Sequence, residues 1–141
     1  MPDPEVFIDT NVLLYLLSAD NEKAERAEMI VRGGGLISVQ VLNEMANAAR
    51  RKLSMSWGEI NEVLALIRSV CSVAPVTIEA HDRGMVVAER YGMSVYDAMI
   101  VAAALLGGCK TLYSEDMQDG LLIDHRLRIC NPFTNQASSG F

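Results

Sequence analysis

The sequence has no long apolar run, because charged residues interrupt the hydrophobic ones every few positions. No stretch reaches the roughly 18 apolar residues of a membrane-spanning helix, so no membrane is expected among the partners. The opening segment MPDPEVFIDTN has no basic patch leading into an apolar stretch, and no signal peptide is expected there. Cysteine is scarce: Cys71, Cys109 and Cys130 are odd in number and share no metal-type spacing. That excludes a disulfide framework and argues against structural zinc. Each cysteine lies in an apolar segment and reads as a buried free thiol of a cytoplasmic protein. Histidine is scarcer still, with His81 read as a surface helix residue and His125 as a loop residue. Neither lies near the acidic motifs below, which disfavours histidine-based catalysis. Basic charge is also lacking. A formal net charge of -6 argues against the basic surface usual in nucleic-acid binding. The objection weakens only where several acids converge on one site that divalent cations would neutralise.

What is present suits one domain with its own core. The chain has 141 residues, 50% of them hydrophobic. Residues 1–133 read as that domain, and the small, polar tail 134–141 as disordered. Residues 5–9 form an apolar strand ending in an acid, and 10–17 a helix directly after it. Residues 20–32 form an amphipathic helix with Asp20 as N-cap, stopped by Gly33-Gly34-Gly35. Residues 36–38 read as a strand, and Ser38 caps a helix to about 53. A helix over 57–70 and an extended piece from Cys71 to Val76 follow. Thr77 caps a helix that Gly92 ends. Ser94 opens the most apolar helix, 95–106; residues 110–113 and 128–130 read as further strands. Short apolar strands alternating with helices predict an α/β fold. Its mostly parallel sheet should have about five short strands and helices on both faces. Ligands of such sheets gather outside the carboxyl ends of the strands.

Four acids stand where an ordinary role is awkward. Asp9 follows Val6-Phe7-Ile8; it is either a helix N-cap or a partly buried ligand. Glu44 shares a helical stripe with Val41 and Ala48, so it is either a costly buried carboxylate or sits at the stripe's wet edge. Asp97 is three residues after Ser94, at the head of a helix apolar all round; a capping box and a metal ligand both suit it. Asp116 lies in the loop after strand 110–113, where a solvated acidic turn is the plain alternative. In that loop Glu115 and Asp119 read as solvent-facing, with Asp119 also open as a second ligand. Convergence of the four would need cations or raised pKa values. An all-carboxylate site suits Mg²⁺ or Mn²⁺ rather than zinc, and one or two such ions could serve a phosphodiester.

These segments resemble the motifs of the PIN-domain family. Phe7-Ile-Asp-Thr-Asn-Val-Leu-Leu-Tyr15 resembles its opening motif and Leu42-Asn-Glu-Met45 its second. Ser94-Val-Tyr-Asp-Ala-Met-Ile-Val-Ala-Ala103 and Leu112-Tyr-Ser-Glu-Asp-Met-Gln-Asp-Gly120 resemble the third and fourth. The match runs in family order over residues 6–120. The resemblance implies a Rossmann-like PIN domain and a Mg²⁺- or Mn²⁺-dependent endoribonuclease. Asp9, Glu44, Asp97 and Asp116 would be its catalytic metal-binding acids, supported by Thr10, Asn11 and Ser114. The size is similar to the VapC-like toxins, which implies an antitoxin partner and a homodimer. Two departures stand out: Ser114 replaces the usual Thr, and Gly120 replaces a later aromatic, which leaves Asp116 and Asp119 both open as the closer ligand.

Arg50-Arg51-Lys52, two turns beyond Glu44, is a candidate RNA-backbone strip or a set of cations complementing the helix dipole. Helices 20–32 and 57–70 are candidate partner or dimer faces. Two rivals differ in class. An aspartate-nucleophile phosphatase would want an acid where Asn11 stands. A catalytically silent RNA- or protein-binding scaffold would be expected to lose one of the four acids.

Overall fold

Each long helix starts where a short polar side chain takes up an orphan backbone N–H. Asp20, Ser38, Ser56, Thr77 and Ser94 stand in extended backbone and accept from the N–H three residues on. Each such cap contributes about 1 kcal/mol. The computed structural model describes residues 5–134, so most of the tail expected to be disordered lies outside the described residues.

The elements are β1 (Val6–Ile8), α1 (Thr10–Leu14) running into a 3-10 turn (Tyr15–Leu17), α2 (Asn21–Arg32), β2 (Gly35–Ser38), α3 (Val39–Leu53) and α4 (Trp57–Val70). They continue with β3 (Cys71–Ala74), α5 (Ile78–Tyr91), α6 (Val95–Leu106), β4 (Thr111–Tyr113), β5 (Leu122–Ile123) and β6 (Leu127–Cys130). The sheet order is β3-β2-β1-β4-β6-β5, parallel throughout except for β5. The sheet thus has six strands where about five were expected. The extra one is a two-residue antiparallel edge strand, too short to leave any periodicity in the sequence. The expected α/β architecture, a mostly parallel sheet between helices, is what the chain forms.

Neighbouring residues on one strand face opposite sides of a sheet, so Phe7 and Ile8, both 0% exposed, require cover on both faces. Helices supply it in two groups, α1 to α4 together and α5 with α6. Burying side chains such as Phe7, Ile37, Leu112 and Ile129 stabilises by about 1.5–3 kcal/mol each. α6 is buried from Ile100 to Leu105, and Gly84 lets α5 approach it closely: a Cβ there would meet Met99 Sδ at 2.6 Å. Gly92 ends α5 with φ +66°, a conformation that favours glycine.

Among the described residues no cysteine forms a disulfide, and Cys71 and Cys109 are buried as expected. Cys130 is only half-buried, because it closes β6 at a strand end. Burial pushes the Cys109 thiol up to about 11, which keeps it protonated and inert. Among the described residues, no helix is long and apolar enough to cross a membrane.

One topological feature positions the site. β1 lies between β2, reached through α1 and α2, and β4, reached only after the chain has passed through β2 and β3. The order therefore reverses between β1 and β4, and a parallel sheet opens a crevice beyond the carboxyl ends of such a pair.

Candidate active site

Asp9 and the Ser114–Asp116 loop stand at that reversal, directly after β1 and β4. The Asp9 backbone N–H donates to Tyr113 O (3.0 Å), which carries the ladder one step past the strand. Asp9 is 6% exposed. Thr10 N donates to its Oδ1 (2.7 Å), and Ser114 Oγ (2.9 Å) and Asn11 Nδ2 (3.3 Å) donate to its Oδ2. The cap role is therefore real, yet it does not relieve the charge. Burial, foremost, pushes the carboxyl up to about 6; the Ser114 and Thr10 bonds pull it down, and Glu44 and Asp97 push it up again.

Glu44 reaches the cluster from α3. Thr10 Oγ1 donates to its Oε1 (2.6 Å) and Gln40 Nε2 to its Oε2 (3.1 Å). Gln40 also bonds Tyr96 O (3.3 Å), tying α3 to the start of α6. The sequence reading missed Gln40, although it stands four residues before Glu44, the spacing of helical neighbours. Glu44 is half-buried, between the two positions that its stripe left open.

Asp97 sits in the first turn of α6, where its N–H donates to Ser94 Oγ (3.2 Å). Burial raises its pKa most, then Asp116 and Glu44, against a lowering bond from Ser94. Asp116 is exposed in the loop after β4. The electrostatic coupling thus links Asp9, Glu44, Asp97 and Asp116 into one group.

Two loop acids go elsewhere. Asp119 accepts from Asn131 N (2.8 Å), which holds it beside the end of β6. Glu115 does not simply face solvent as expected: its carboxylate takes Tyr15 Oη (2.7 Å) and Lys23 Nζ (3.0 Å), and its N–H donates to Asn11 Oδ1 (3.0 Å). The reason is that α2 carries Lys23 against the loop, a long-range pairing that spacing alone does not reveal. Asn11, fully used between Asp9, Ser114 and Glu115, locks the loop to the head of α1.

The basic strip divides. Arg50 donates to Met55 O (2.9 Å) and stacks over Trp57, with 4.8 Å to the ring centroid. It serves the end of α3, while Arg51 and Lys52 stay exposed. His81 and His125 are both exposed.

Among the described residues, none of the four clustered acids has a Lys, Arg or His within ion-pair distance. Nor do any three acids, histidines or cysteines among those residues stand in a ready-made ligating arrangement. Repelling carboxylates with no internal cation fit an oxygen-preferring divalent ion, whose binding would draw them together.

A family model described as the PIN domain matches residues 6–118. No curated protein matches the chain. Among solved structures, VapC20 of Mycobacterium tuberculosis, titled a sarcin-ricin loop cleaving toxin, is 22% identical with a TM-score of 0.64. That match covers 79% of this chain and 89% of that one. A toxin-antitoxin complex from Klebsiella pneumoniae is 18% identical with a TM-score of 0.69, covering 91% and 98%. VapBC2 of Rickettsia felis, bound to a DNA fragment from its promoter, is 16% identical with a TM-score of 0.58, covering 79% and 87%.

Proposed function

The chain belongs to the PIN-domain family, and on that premise we propose that it is a Mg²⁺- or Mn²⁺-dependent endoribonuclease, the toxin of a toxin–antitoxin pair. The observation that carries the reading is Asp9: a buried carboxylate pushed up to about 6 by burial and by Glu44 and Asp97, with no cation of the described chain to relieve it. Stability alone would not retain such a group; a site for an incoming cation would.

In this reading Asp9, Glu44, Asp97 and Asp116 hold one or two ions. When bound, the metal polarises the phosphodiester and lowers the pKa of water. The rest is the chain's own work. Three donors fix both Asp9 oxygens, so its orientation is set before substrate arrives. Thr10 and Gln40 hold Glu44, one on each oxygen. Glu44 then orients the attacking water and takes its proton. Water adds at phosphorus, the P–O3′ bond breaks, and the 3′ oxygen is protonated from solvent. Ser114 and Asn11 keep Asp9 and the Asp116 loop in one frame. Asp116, coupled to Asp97, is the better candidate ligand than Asp119, which Asn131 N holds beside the end of β6.

An antitoxin is the proposed protein partner, since structures resembling this chain are toxin–antitoxin complexes. The groove of about 360 Å³ between α2 and α4, walled by Leu17, Val31, Leu66 and Val70, is its proposed seat. We also propose a cytoplasmic homodimer.

The test is cleavage of a mixed structured RNA pool by purified protein. Cleavage is expected in Mn²⁺ and absent in EDTA and in Asp97→Asn. A folded protein that neither cuts RNA nor binds Mn²⁺ would contradict the reading and favour the silent scaffold.

A further inference from the structure

The four clustered acids are not held equally. Three donors fix Asp9 and two fix Glu44, and Ser94 caps the turn that carries Asp97. Asp116 is exposed, and among the described residues no hydrogen bond reaches its carboxylate. Ordering such a loop acid when an ion arrives costs entropy unless its surroundings fix it beforehand.

The residue before it is held at every polar group. Tyr15 Oη donates to Glu115 Oε1 (2.7 Å) and Lys23 Nζ to Glu115 Oε2 (3.0 Å). Lys23 Nζ also donates to Tyr15 Oη (3.1 Å), which closes the triangle. The Glu115 N–H donates to Asn11 Oδ1 (3.0 Å), and Asn131 Nδ2 reaches the Glu115 carbonyl (3.5 Å). Lys23 is itself fixed: its Nζ lies 4.7 Å from the centroid of the Tyr15 ring and 5.5 Å from that of Phe133. Those two rings meet edge to face at 4.6 Å. The head of α1, the 3-10 turn, α2 and the segment after β6 thus converge on one loop residue.

Lys23 and Glu115 stay partly exposed, and an ion pair of that kind adds little to stability. Its larger effect is geometric. A trans peptide sets successive Cα atoms about 3.8 Å apart, so fixing the backbone and side chain of Glu115 fixes the point from which Asp116 projects.

We propose that Lys23 and Tyr15 are positioning residues of the metal site: by clamping Glu115 they hold the neighbouring Asp116 within the acid cluster, ready for the ion. The inference rests on the ribonuclease reading, in which Asp116 is a ligand, and adds two residues that touch neither metal nor substrate.

The test is calorimetric titration of the whole protein with Mn²⁺. Lys23→Met keeps the apolar stem but loses the charge and the donors, and binds Mn²⁺ about tenfold more weakly than wild type. Lys23→Arg, which can still pair with Glu115 and stack on both rings, stays within about twofold. Tyr15→Phe, which keeps the ring and loses one donor to Glu115, falls between them. Asp124→Ala, which loosens a turn at the other end of the sheet, leaves Mn²⁺ affinity unchanged. In Asp116→Asn protein, Lys23→Met costs nothing further, because the clamp acts through Asp116. Amide exchange in metal-free protein reads the clamp without any ion: Lys23→Met speeds exchange of the Glu115 N–H and leaves that of Ala98, inside α6, unchanged. Equal Mn²⁺ affinity in wild type and Lys23→Met, or a penalty that adds to that of Asp116→Asn, overturns the proposal. A loss of affinity that Asp124→Ala shares reduces the clamp to general stability and overturns it too. Wild-type protein that binds no Mn²⁺ defeats the ribonuclease reading itself, and the clamp then has no ion to serve.

Discussion

Two aspartates at opposite ends of the sheet meet opposite fates. Asp9 follows β1 at the carboxyl end. Asp124 precedes β6 at the other, in the turn of the β5–β6 hairpin with φ +50°. Asp124 accepts from Arg90 Nη1 (3.1 Å), Arg83 Nη2 (3.4 Å) and Tyr91 Oη (3.1 Å). Its partial burial would raise the pKa, but the Tyr91 bond and the two arginines outweigh it and hold the carboxyl below its ordinary value. Asp9 has hydrogen-bond donors as well, but no cation among the described residues, and its pKa moves the other way. One acid is satisfied from within and latches a turn onto α5. The other is kept oriented and left charged among its like, an arrangement that the proposed divalent ion would complete.

The largest expected effect separates the two by activity. Asp9→Asn lowers RNA cleavage by roughly a thousandfold in single-turnover assays, whereas Asp124→Asn, which keeps a side chain tolerant of positive φ, leaves the rate within about twofold. Equal losses would erase the distinction between a site and a latch.

The next effect is in pH. The native pKa of Asp9, about 6, lies above its ordinary 3.8, so between those values the folded state holds a proton that the unfolded chain releases. In metal-free protein that group's contribution to stability therefore falls as pH rises through the window, by on the order of 3 kcal/mol. Asp124 has the opposite sign: its contribution is present at neutral pH and is lost as pH falls through its lowered pKa. Urea midpoints from pH 3 to 8 in EDTA, for wild type and Asp9→Asn, isolate the first component, which the variant should lack.

The smallest effect is a pair of stability changes at pH 7.5 without metal. Asp9→Asn stabilises by about 1–2 kcal/mol because it removes one of several repelling charges. Asp124→Ala destabilises by a similar amount because two arginines and a tyrosine lose their acceptor. Thermal melts read both, and a falling midpoint for Asp9→Asn would mean that the helix cap outweighs the repulsion.

What the sequence made legible follows the range of the interactions. Asp20, Ser38, Thr77 and Ser94 were readable as caps because a cap is settled within three residues. Glu44 stood out because a helix's period tells which positions face inward, and Asp97 because it heads a helix that is apolar all round. That the acids approach one another could be inferred only from the order of motifs, since their proximity depends on the reversal between β1 and β4. The fate of the fourth-motif loop was illegible. Spacing treats Glu115, Asp116 and Asp119 alike, and Lys23 and Asn131, far from that loop in the chain or beyond it, tell them apart. The Arg50 contact with Trp57 was hidden because the chain turns back at Ser54, with φ +52°.

The central claim is that the carboxylates await a divalent ion, and calorimetric titration with Mn²⁺ at pH 6 tests it most directly. Wild-type protein should bind Mn²⁺ and release about half a proton, since Asp9 is near its midpoint there. Asp9→Asn should bind at least about tenfold more weakly and release little. Wild-type protein that takes up no Mn²⁺, or binding and proton release unchanged in Asp9→Asn, would contradict the account.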